Sequence, residues 1–423
     1  MIWIIVGYMW LFLHRPFEVW PWMGTLRIER VYMICTLIAW FTMAEKQLTE
    51  NRINFAMAAF AIAMTVSAVM SPYLDLTDNT DYINWMKYLV FYGLVMTSVK
   101  NERDLKILIT GFVVCFFIYM LHSYREYLCG RFAWAMGTKR MIGVDSTMAD
   151  PNTFGSSIII LLPMLIPFYT LLKKKWHYLF FLGYLLLSIR CVQLTGSRSA
   201  FIVLGGAMAV AAVVSKRRMT FIPILCLAAV VAWFTLGENL KNRYLTIIDS
   251  SINESANESA AGRKAGFYDG WKNWSKSPIW GVGPGCHGKA TGEGFLSHCL
   301  YGQIPGELGT LGILAFLILL VCFGLNHFRI SSDLKFLKSR GREKEGKYLY
   351  LVSLGIVSSI GLLMVFGLGG HNGYRYNWVW FAAFQAVAVA LMSEKVRLIR
   401  QQELYPTGIV PRPLIPFPES SSR

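Results

Sequence analysis

Twelve long hydrophobic runs, nearly free of charge and separated by polar segments, dominate this chain of 423 residues. A helix needs about 20 apolar residues to cross roughly 30 Å of hydrocarbon, and most of the runs approach that length. The sequence therefore predicts an all-α, polytopic membrane protein with about twelve transmembrane helices. The predicted spans are residues 2–14, 28–44, 53–71, 82–98, 105–121, 153–172, 176–194, 199–215, 219–236, 308–328, 348–369 and 374–393.

The short loops indicate how the chain is oriented. Basic clusters at 100–106, 173–175, 216–218 and 329–347 fall on one side of the twelve spans, and an acidic loop at 72–82 falls on the other. Cytoplasmic loops of membrane proteins carry the excess of Lys and Arg. We therefore expect both termini in the cytoplasm and the acidic loop outside.

Two long loops then lie on the outer side, at residues 122–152 and 237–307. We predict a single transmembrane domain over residues 1–404, in which loop 237–307 contains short helices and carries much of an active site. Residues 405–423, rich in Pro and Ser, are expected to form a flexible cytoplasmic tail. The first run lacks a basic segment before it and a cleavage site after it, and is expected to be a retained span.

The net charge of +16 does not indicate nucleic-acid binding, because the chain has no soluble domain that presents basic and stacking residues together. Basic residues at bilayer edges instead meet anionic lipid head groups. Cys129, Cys286 and Cys299 lie in the outer loops without metal-ligand spacing, so no metal site is predicted. A disulfide between two of these three remains open.

Arg198 stands between two predicted spans, within the segment TGSRSAF (195–201). A charged residue at the bilayer edge is costly unless it is paired or reaches water. Contact with lipid phosphate is one explanation. The small polar neighbours, Ser197 among them, favour a bound phosphate ligand instead, because the guanidinium group donates two parallel hydrogen bonds to phosphate oxygens.

The larger outer loop has a second arginine, Arg263, followed by aromatic residues at 267, 271 and 274. That spacing predicts a helix with one apolar face, lying near the membrane interface and beginning at Arg263. A helix start attracts anions. The glycine-rich segment 277–285 follows, and its backbone N–H groups can either cradle a phosphate or simply reverse the chain.

His298 precedes the segment GELGTLG (306–312) at the mouth of a predicted span. Histidine is the usual general base near neutral pH, although a lone histidine is more often structural. Glu307 lies nearby in sequence. His287 and His371 are competing candidates, and His371 has Arg375 close to it.

Five segments in fixed order resemble the O-antigen ligase and polymerase family of bacterial membrane proteins. They are ADPNTFG (149–155), TGSRSAF (195–201), GRKAGFYDGW (262–271), SPIWGVGPG (277–285) and SHCLYGQIPGELGTLG (297–312). The resemblance implies a glycosyltransferase in the bacterial inner membrane, with its active site facing the periplasm. The glycan would come from undecaprenyl diphosphate. The chain is most similar to the ligases, whose acceptor is lipid A core, while polymerases use another lipid-linked glycan and other relatives a protein hydroxyl.

The resemblance also implies residue roles. His298 would be the general base, and Arg198 and Arg263 would neutralise the diphosphate leaving group without a metal or other cofactor, by an inverting displacement. No D-x-D segment occurs in the outer loops, which agrees with a metal-independent mechanism. Further residues are expected to contact the substrate: Arg125, Arg140, Ser197, Gly281, Gly283, Tyr301, Glu307 and Arg375.

Two other functions fit a polytopic chain with a basic outer face. A polymerase of the same family would join lipid-linked glycans to one another. A polysaccharide transporter is disfavoured, because transporters place charged residues near the bilayer midplane and here the charges lie at span ends.

Overall fold

The structure is a computed structural model, and it describes residues 1–43, 46, 48–73, 79–135, 137–214, 230, 233–234, 237–245, 255–292 and 297–404. Within these residues the principal elements are sixteen α-helices. They are α1 Ile2–His14, α2 Pro16–Val19, α3 Pro21–Thr25, α4 Ile28–Phe41, α5 Arg52–Met70, α6 Thr80–Ser98, α7 Glu102–Leu128, α8 Pro151–Leu161, α9 Lys175–Thr195, α10 Arg198–Val214, α11 Glu238–Leu245, α12 Ser255–Lys276, α13 His287–Thr291, α14 Leu300–Ser339, α15 Glu343–Gly367 and α16 Tyr376–Leu404.

Strands β1 (Ala133–Ala135) and β2 (Thr138–Arg140) form a small antiparallel hairpin between α7 and α8. Short 3₁₀ helices cover Ser146–Met148 and Leu162–Thr170, and the second continues α8. The predicted all-α class is confirmed.

Seven helical segments of the described chain are long and apolar enough to cross a membrane: Arg52–Met70, Glu102–Leu128, Pro151–Thr170, Lys175–Thr195, Leu300–Ser339, Glu343–Gly367 and Tyr376–Leu404. Eleven of the predicted spans coincide with a helix. The remaining one, at 219–236, lies largely outside the described residues, as does the predicted tail at 405–423. The count of twelve spans therefore stays a prediction.

Helix α16 forms the centre of the bundle. Every residue from Trp378 to Val389 is buried, on all sides of the helix, and this pattern is typical of a helix surrounded by others. The Trp380 ring stacks on Phe91 of α6 with 4.2 Å between ring centroids. By contrast, α4 exposes Val31, Ile34 and Ile38 along one face, as expected of a helix that meets lipid.

Helices α12 and α14 pack closely through glycines spaced four residues apart. Gly266 and Gly270 of α12 meet Gly302 and Gly306 of α14, so that a β-carbon at Gly270 would stand 2.2 Å from the Gly302 carbonyl oxygen. Small residues at this spacing let two helices approach until their backbones touch. The contact fixes residues just before each glycine pair, and among these are Arg263 and His298.

Candidate active site

A cavity of about 1340 Å³ opens at one end of the helix bundle, where many helices begin or end. Arg263, His298, His371 and Arg375 all line it. The His298 and His371 rings are 5.9 Å apart between centroids. The structure therefore brings together a set of nitrogen-bearing side chains from α12, the segment before α14 and the loop between α15 and α16.

Arg263 reaches the cavity from the third turn of α12, and its side chain lies against the backbone at Gly369. Among the described residues it has no hydrogen bond or salt bridge, so its guanidinium donors are available to a ligand. The sequence-based expectation that α12 begins at Arg263 is wrong, since the helix begins at Ser255. The helix start consequently adds nothing to anion binding at Arg263.

Arg198 is the first residue of α10 and lies within electrostatic reach of Arg263. Its neighbours Ser199 and Ile202 line the cavity. Ser197, expected to contact substrate, is fully buried, and its hydroxyl accepts a hydrogen bond from the Ala200 N–H. Ser197 therefore caps the start of α10, a common role for serine at a helix N-terminus.

Arg140 is also buried, and it supports the same turn. Its Nε donates to the Thr195 carbonyl oxygen at 2.8 Å, and its Nη2 donates to the Asn152 side chain at 3.0 Å. Burial lowers the pKa of this guanidinium. Arg140 thus supports the turn before Arg198, and its direct contact with substrate stays a prediction.

His371 lines the cavity, and its side chain is accessible there although protein groups surround it closely. Desolvation lowers the pKa of His371 to about 4, and the nearby Arg375 and His298 side chains act in the same direction, against a smaller opposing effect of Asp150. Arg375 donates from Nη1 to the Ser157 hydroxyl at 3.1 Å, and burial lowers its pKa. Within the described chain, Arg375 has no carboxylate at salt-bridge distance. Like Arg263, it can receive an anion.

The glycine-rich turn at 277–285 is a packing element. The Val282 and Gly283 N–H groups donate to the carbonyl oxygens of Gly306 and Glu307, and Gly281 donates to Ser277. Because these donors are occupied within the protein, they are not available to cradle a phosphate, and a contact of Gly281 or Gly283 with substrate stays a prediction. The turn instead fills a kink in α14, where Gly309 leaves the helical conformation.

Glu307 is 1% exposed and lies beneath this turn, where one of its carboxylate oxygens accepts the Gly285 N–H at 2.9 Å. The Ser67 hydroxyl donates to the Glu307 carbonyl oxygen at 2.6 Å, which joins α5 to the kink. Glu307 is not part of the cavity lining. The structure gives it a role in holding the turn rather than in touching substrate.

Two other expected contacts lie outside the cavity. Arg125 is exposed at the end of α7, where it pairs with Glu126. Tyr301 lies in a separate apolar groove of about 610 Å³, and its hydroxyl donates to the Met364 carbonyl oxygen at 3.0 Å. The groove runs between α12 and α14, and Arg263 and Leu368 line both the groove and the cavity.

The competing candidate His287 is buried, with Nδ1 3.5 Å from the Asn273 side-chain nitrogen. Cys129, Cys286 and Cys299 are all free thiols. Among the residues that the structure describes, no cluster of three or more His, Cys, Asp or Glu side chains has the arrangement of a metal site.

Residues 183–317 match the sequence model of a protein family described as O-antigen ligase. This segment belongs to the O-antigen ligase family. It contains Arg198, Arg263 and His298, whereas His371 and Arg375 lie beyond its end. The resemblance noted in the sequence is thereby confirmed over residues 183–317, and a match to this family supports an enzyme of the glycosyltransferase type. No curated protein matches the chain.

Part of the cavity lining could not be predicted from the sequence motifs. Glu29, Asp81, Asn84 and Tyr88 line it from the first 90 residues, far from the O-antigen ligase segment. They carry no motif, since only the packing of α4 and α6 against the bundle brings them there. The glycine pairs at 266/270 and 302/306 were a readable signal for the contact between α12 and α14.

Proposed function

We propose that this protein transfers a glycan from undecaprenyl diphosphate to an acceptor hydroxyl, as an O-antigen ligase does to lipid A core. The reaction takes place at the periplasmic face of the bacterial inner membrane. The observation that carries the proposal is the position of Arg263, which is unpaired among the described residues and borders both the polar cavity and the apolar groove. A lipid diphosphate likewise joins a polar diphosphate to an apolar chain, so Arg263 stands where the two parts of such a ligand meet.

The groove suits a polyprenyl chain. Phe267, Tyr268 and Trp271 of α12 form one side, and α14 forms the other from Tyr301 to Leu320. With a rise of about 1.5 Å per residue, that part of α14 extends over roughly 28 Å, which is close to the thickness of the hydrocarbon core. The isoprenoid occupies the groove, and its diphosphate reaches Arg263 at the end of it.

The arginines stabilise the leaving group. When the bond between the anomeric carbon and the phosphate oxygen breaks, negative charge develops on the diphosphate. Arg263 and Arg198 are within electrostatic reach of one another and meet that charge with two guanidinium groups. Arg375, half-buried and hydrogen-bonded to Ser157, supplies a third cation in the same cavity.

His298 accepts the proton from the acceptor hydroxyl as the oxygen attacks the anomeric carbon, and the configuration at that carbon inverts. His371 is the poorer base, because a group whose pKa lies near 4 has little affinity for a proton at neutral pH. In this mechanism His371 lies beside His298 as a neutral neighbour and contributes no charge that would repel the imidazolium.

Reconstituted transfer tests the proposal. The purified protein in liposomes receives undecaprenyl-diphosphate-linked glycan together with lipopolysaccharide that lacks O-antigen. Glycan attached to the lipopolysaccharide supports ligation, whereas longer glycans on the lipid diphosphate would assign the protein as a polymerase. A protein that binds neither the donor nor undecaprenyl diphosphate alone would contradict the proposal.

A further inference from the structure

Four polar residues from α4 and α6 form one part of the cavity lining, here called the N-terminal wall: Glu29, Asp81, Asn84 and Tyr88. All four are half-buried. None belongs to the O-antigen ligase segment, which supplies Arg263 and His298 to the same cavity. If the O-antigen ligase segment binds one substrate of the transfer reaction, the N-terminal wall is available to bind the other substrate.

The polar groups of the N-terminal wall have few partners in the protein. Within the described chain, the carboxylates of Glu29 and Asp81 and the hydroxyl of Tyr88 have no hydrogen bond or salt bridge. Asn84 accepts only a long contact of 3.4 Å from the Lys87 ammonium group. Polar groups in a partly enclosed site need partners, and a ligand with many hydroxyl groups can provide them.

Aromatic rings adjoin these groups. Tyr88, Phe12 and Tyr376 pack edge to face around one point, with centroid distances between 5.2 and 6.4 Å. All three line the cavity. A sugar ring has an apolar C–H face and a rim of hydroxyl groups, so aromatic surface beside carboxylates and an amide is complementary to it. Pockets for small ligands commonly combine aromatic walls with a few placed polar groups.

The charges of the N-terminal wall indicate which substrate it meets. Arg15 also lines the cavity near Tyr88, but its guanidinium pairs with Glu18 at 2.8 Å. The Glu29 and Asp81 carboxylates have no salt bridge in the described chain, and two such negative charges disfavour a phosphate beside them. The cavity of about 1340 Å³ is larger than the roughly 300–1,000 Å³ of typical small-ligand pockets and has room for sugar residues beside the leaving group. Tyr88 is within electrostatic reach of Arg375, so the wall is continuous with the cationic part of the site.

We infer that the N-terminal wall binds the acceptor glycan, through hydroxyl groups of a sugar residue that carries no phosphate at the point of contact, and that it sets acceptor specificity. The inference rests on the proposed function. Glu29 and Asp81 accept hydrogen bonds from hydroxyl groups of the sugar. The Asn84 amide and the Tyr88 hydroxyl can both donate and accept hydrogen bonds with it. The apolar face of the sugar packs on the aromatic rings.

Asp81→Asn and Tyr88→Phe test the inference with little change in shape. Glu343→Gln, at the start of α15 and outside the cavity, is the matched control. Using lipopolysaccharide without O-antigen as acceptor, we expect the KM for the acceptor to rise roughly tenfold in each test variant, the size expected for a lost hydrogen bond to a charged or fixed group. Binding of undecaprenyl diphosphate should stay within about twofold of wild type, because the variants leave the arginines intact.

An unchanged acceptor KM in both variants, with wild-type thermal stability, would overturn the inference. So would weaker binding of undecaprenyl diphosphate without an effect on the acceptor. If the wild-type protein transfers nothing, the proposed function fails separately. Binding of core oligosaccharide freed of lipid A then tests the inference about the N-terminal wall on its own. Wild type should bind the oligosaccharide, and Asp81→Asn should bind it at least several-fold more weakly.

Discussion

The glycine-rich turn at 277–285 and the pair formed by Arg263 and His298 lie in the same matched segment and differ in the state of their polar groups. The Val282 and Gly283 N–H groups of the turn donate to carbonyl oxygens of α14, and the Gly281 N–H donates to Ser277, so these donors are not available to a ligand. Arg263 faces a cavity without a hydrogen bond or salt bridge among the described residues. A polar group that the fold leaves unsatisfied is a better guide to binding than a motif whose donors are already used.

The largest effect should come from changing the guanidinium groups. Lysine at position 198 or 263 keeps the charge but loses the two parallel donors. We expect Arg198→Lys and Arg263→Lys to reduce glycan transfer roughly 10²-fold, with normal expression. Arg125→Lys, at an exposed position outside the cavity, should leave transfer unchanged. Full activity of both test variants in the reconstituted assay would reject the diphosphate contact.

Alanine at Gly281 should affect folding instead of chemistry. The residue has φ of +73°, and a β-carbon would stand 2.3 Å from the Glu307 carbonyl oxygen. Backbone strain and overpacking together should destabilise the protein by about 2–4 kcal/mol. Gly292 also has positive φ, at +78°, but open space around it, so Gly292→Ala isolates the strain. Equal losses of thermal stability in the two variants would show that the turn is not tightly packed.

A smaller effect concerns pH. The pKa of His371 is about 4 in the folded protein and near 6.5 in an unfolded chain, so the unfolded state binds more protons between these values. Its contribution to stability is therefore present above pH 6.5 and is lost as the pH falls towards 4. We expect the drop in melting temperature between pH 7.5 and 5 to be smaller in His371→Gln than in wild type. An identical drop would show that the pKa of His371 is not lowered in the folded protein.

The smallest expected effect is that of chelation. The proposed mechanism relies on arginine charge at the leaving group, so EDTA should leave the transfer rate unchanged. Loss of transfer that magnesium or manganese restores would indicate a metal held by acidic residues. Among the candidate ligands, Asp81, Asp145, Asp150 and Asp269 lie in the described chain, whereas Asp75 and Asp78 lie outside it.

The helices were predictable because their hydrophobic runs are long. The start of α12 was not, since residues 255–262 are polar and carry no apolar run, although Ala and Glu favour helix. Burial was also invisible in sequence. In the sequence, Arg140, Ser197 and Arg198 are all polar residues near the predicted membrane edge. In the structure, Arg140 and Ser197 are buried and stabilise the turn before α10 through hydrogen bonds.

The N-terminal wall is a second feature that the sequence could not predict. Glu29 and Asn84 are separated by more than 50 residues and belong to no motif, so only the tertiary packing of α4 and α6 reveals that they share a cavity with His298. The order of motifs pointed to Arg198, Arg263 and His298, of which Arg263 and His298 line the cavity, and their roles stay a prediction. It could not predict the residues that face them.

The most direct test of the central claim separates donor binding from transfer in His298→Ala. In the proposed mechanism the arginines bind the lipid diphosphate, and His298 accepts the proton of the acceptor hydroxyl. His298→Ala should therefore bind undecaprenyl diphosphate like wild type and lose transfer by roughly 10²–10⁴-fold, while His371→Ala keeps most of its activity. Normal transfer by His298→Ala, together with loss in His371→Ala, would contradict the account and place the base in the loop beside Arg375.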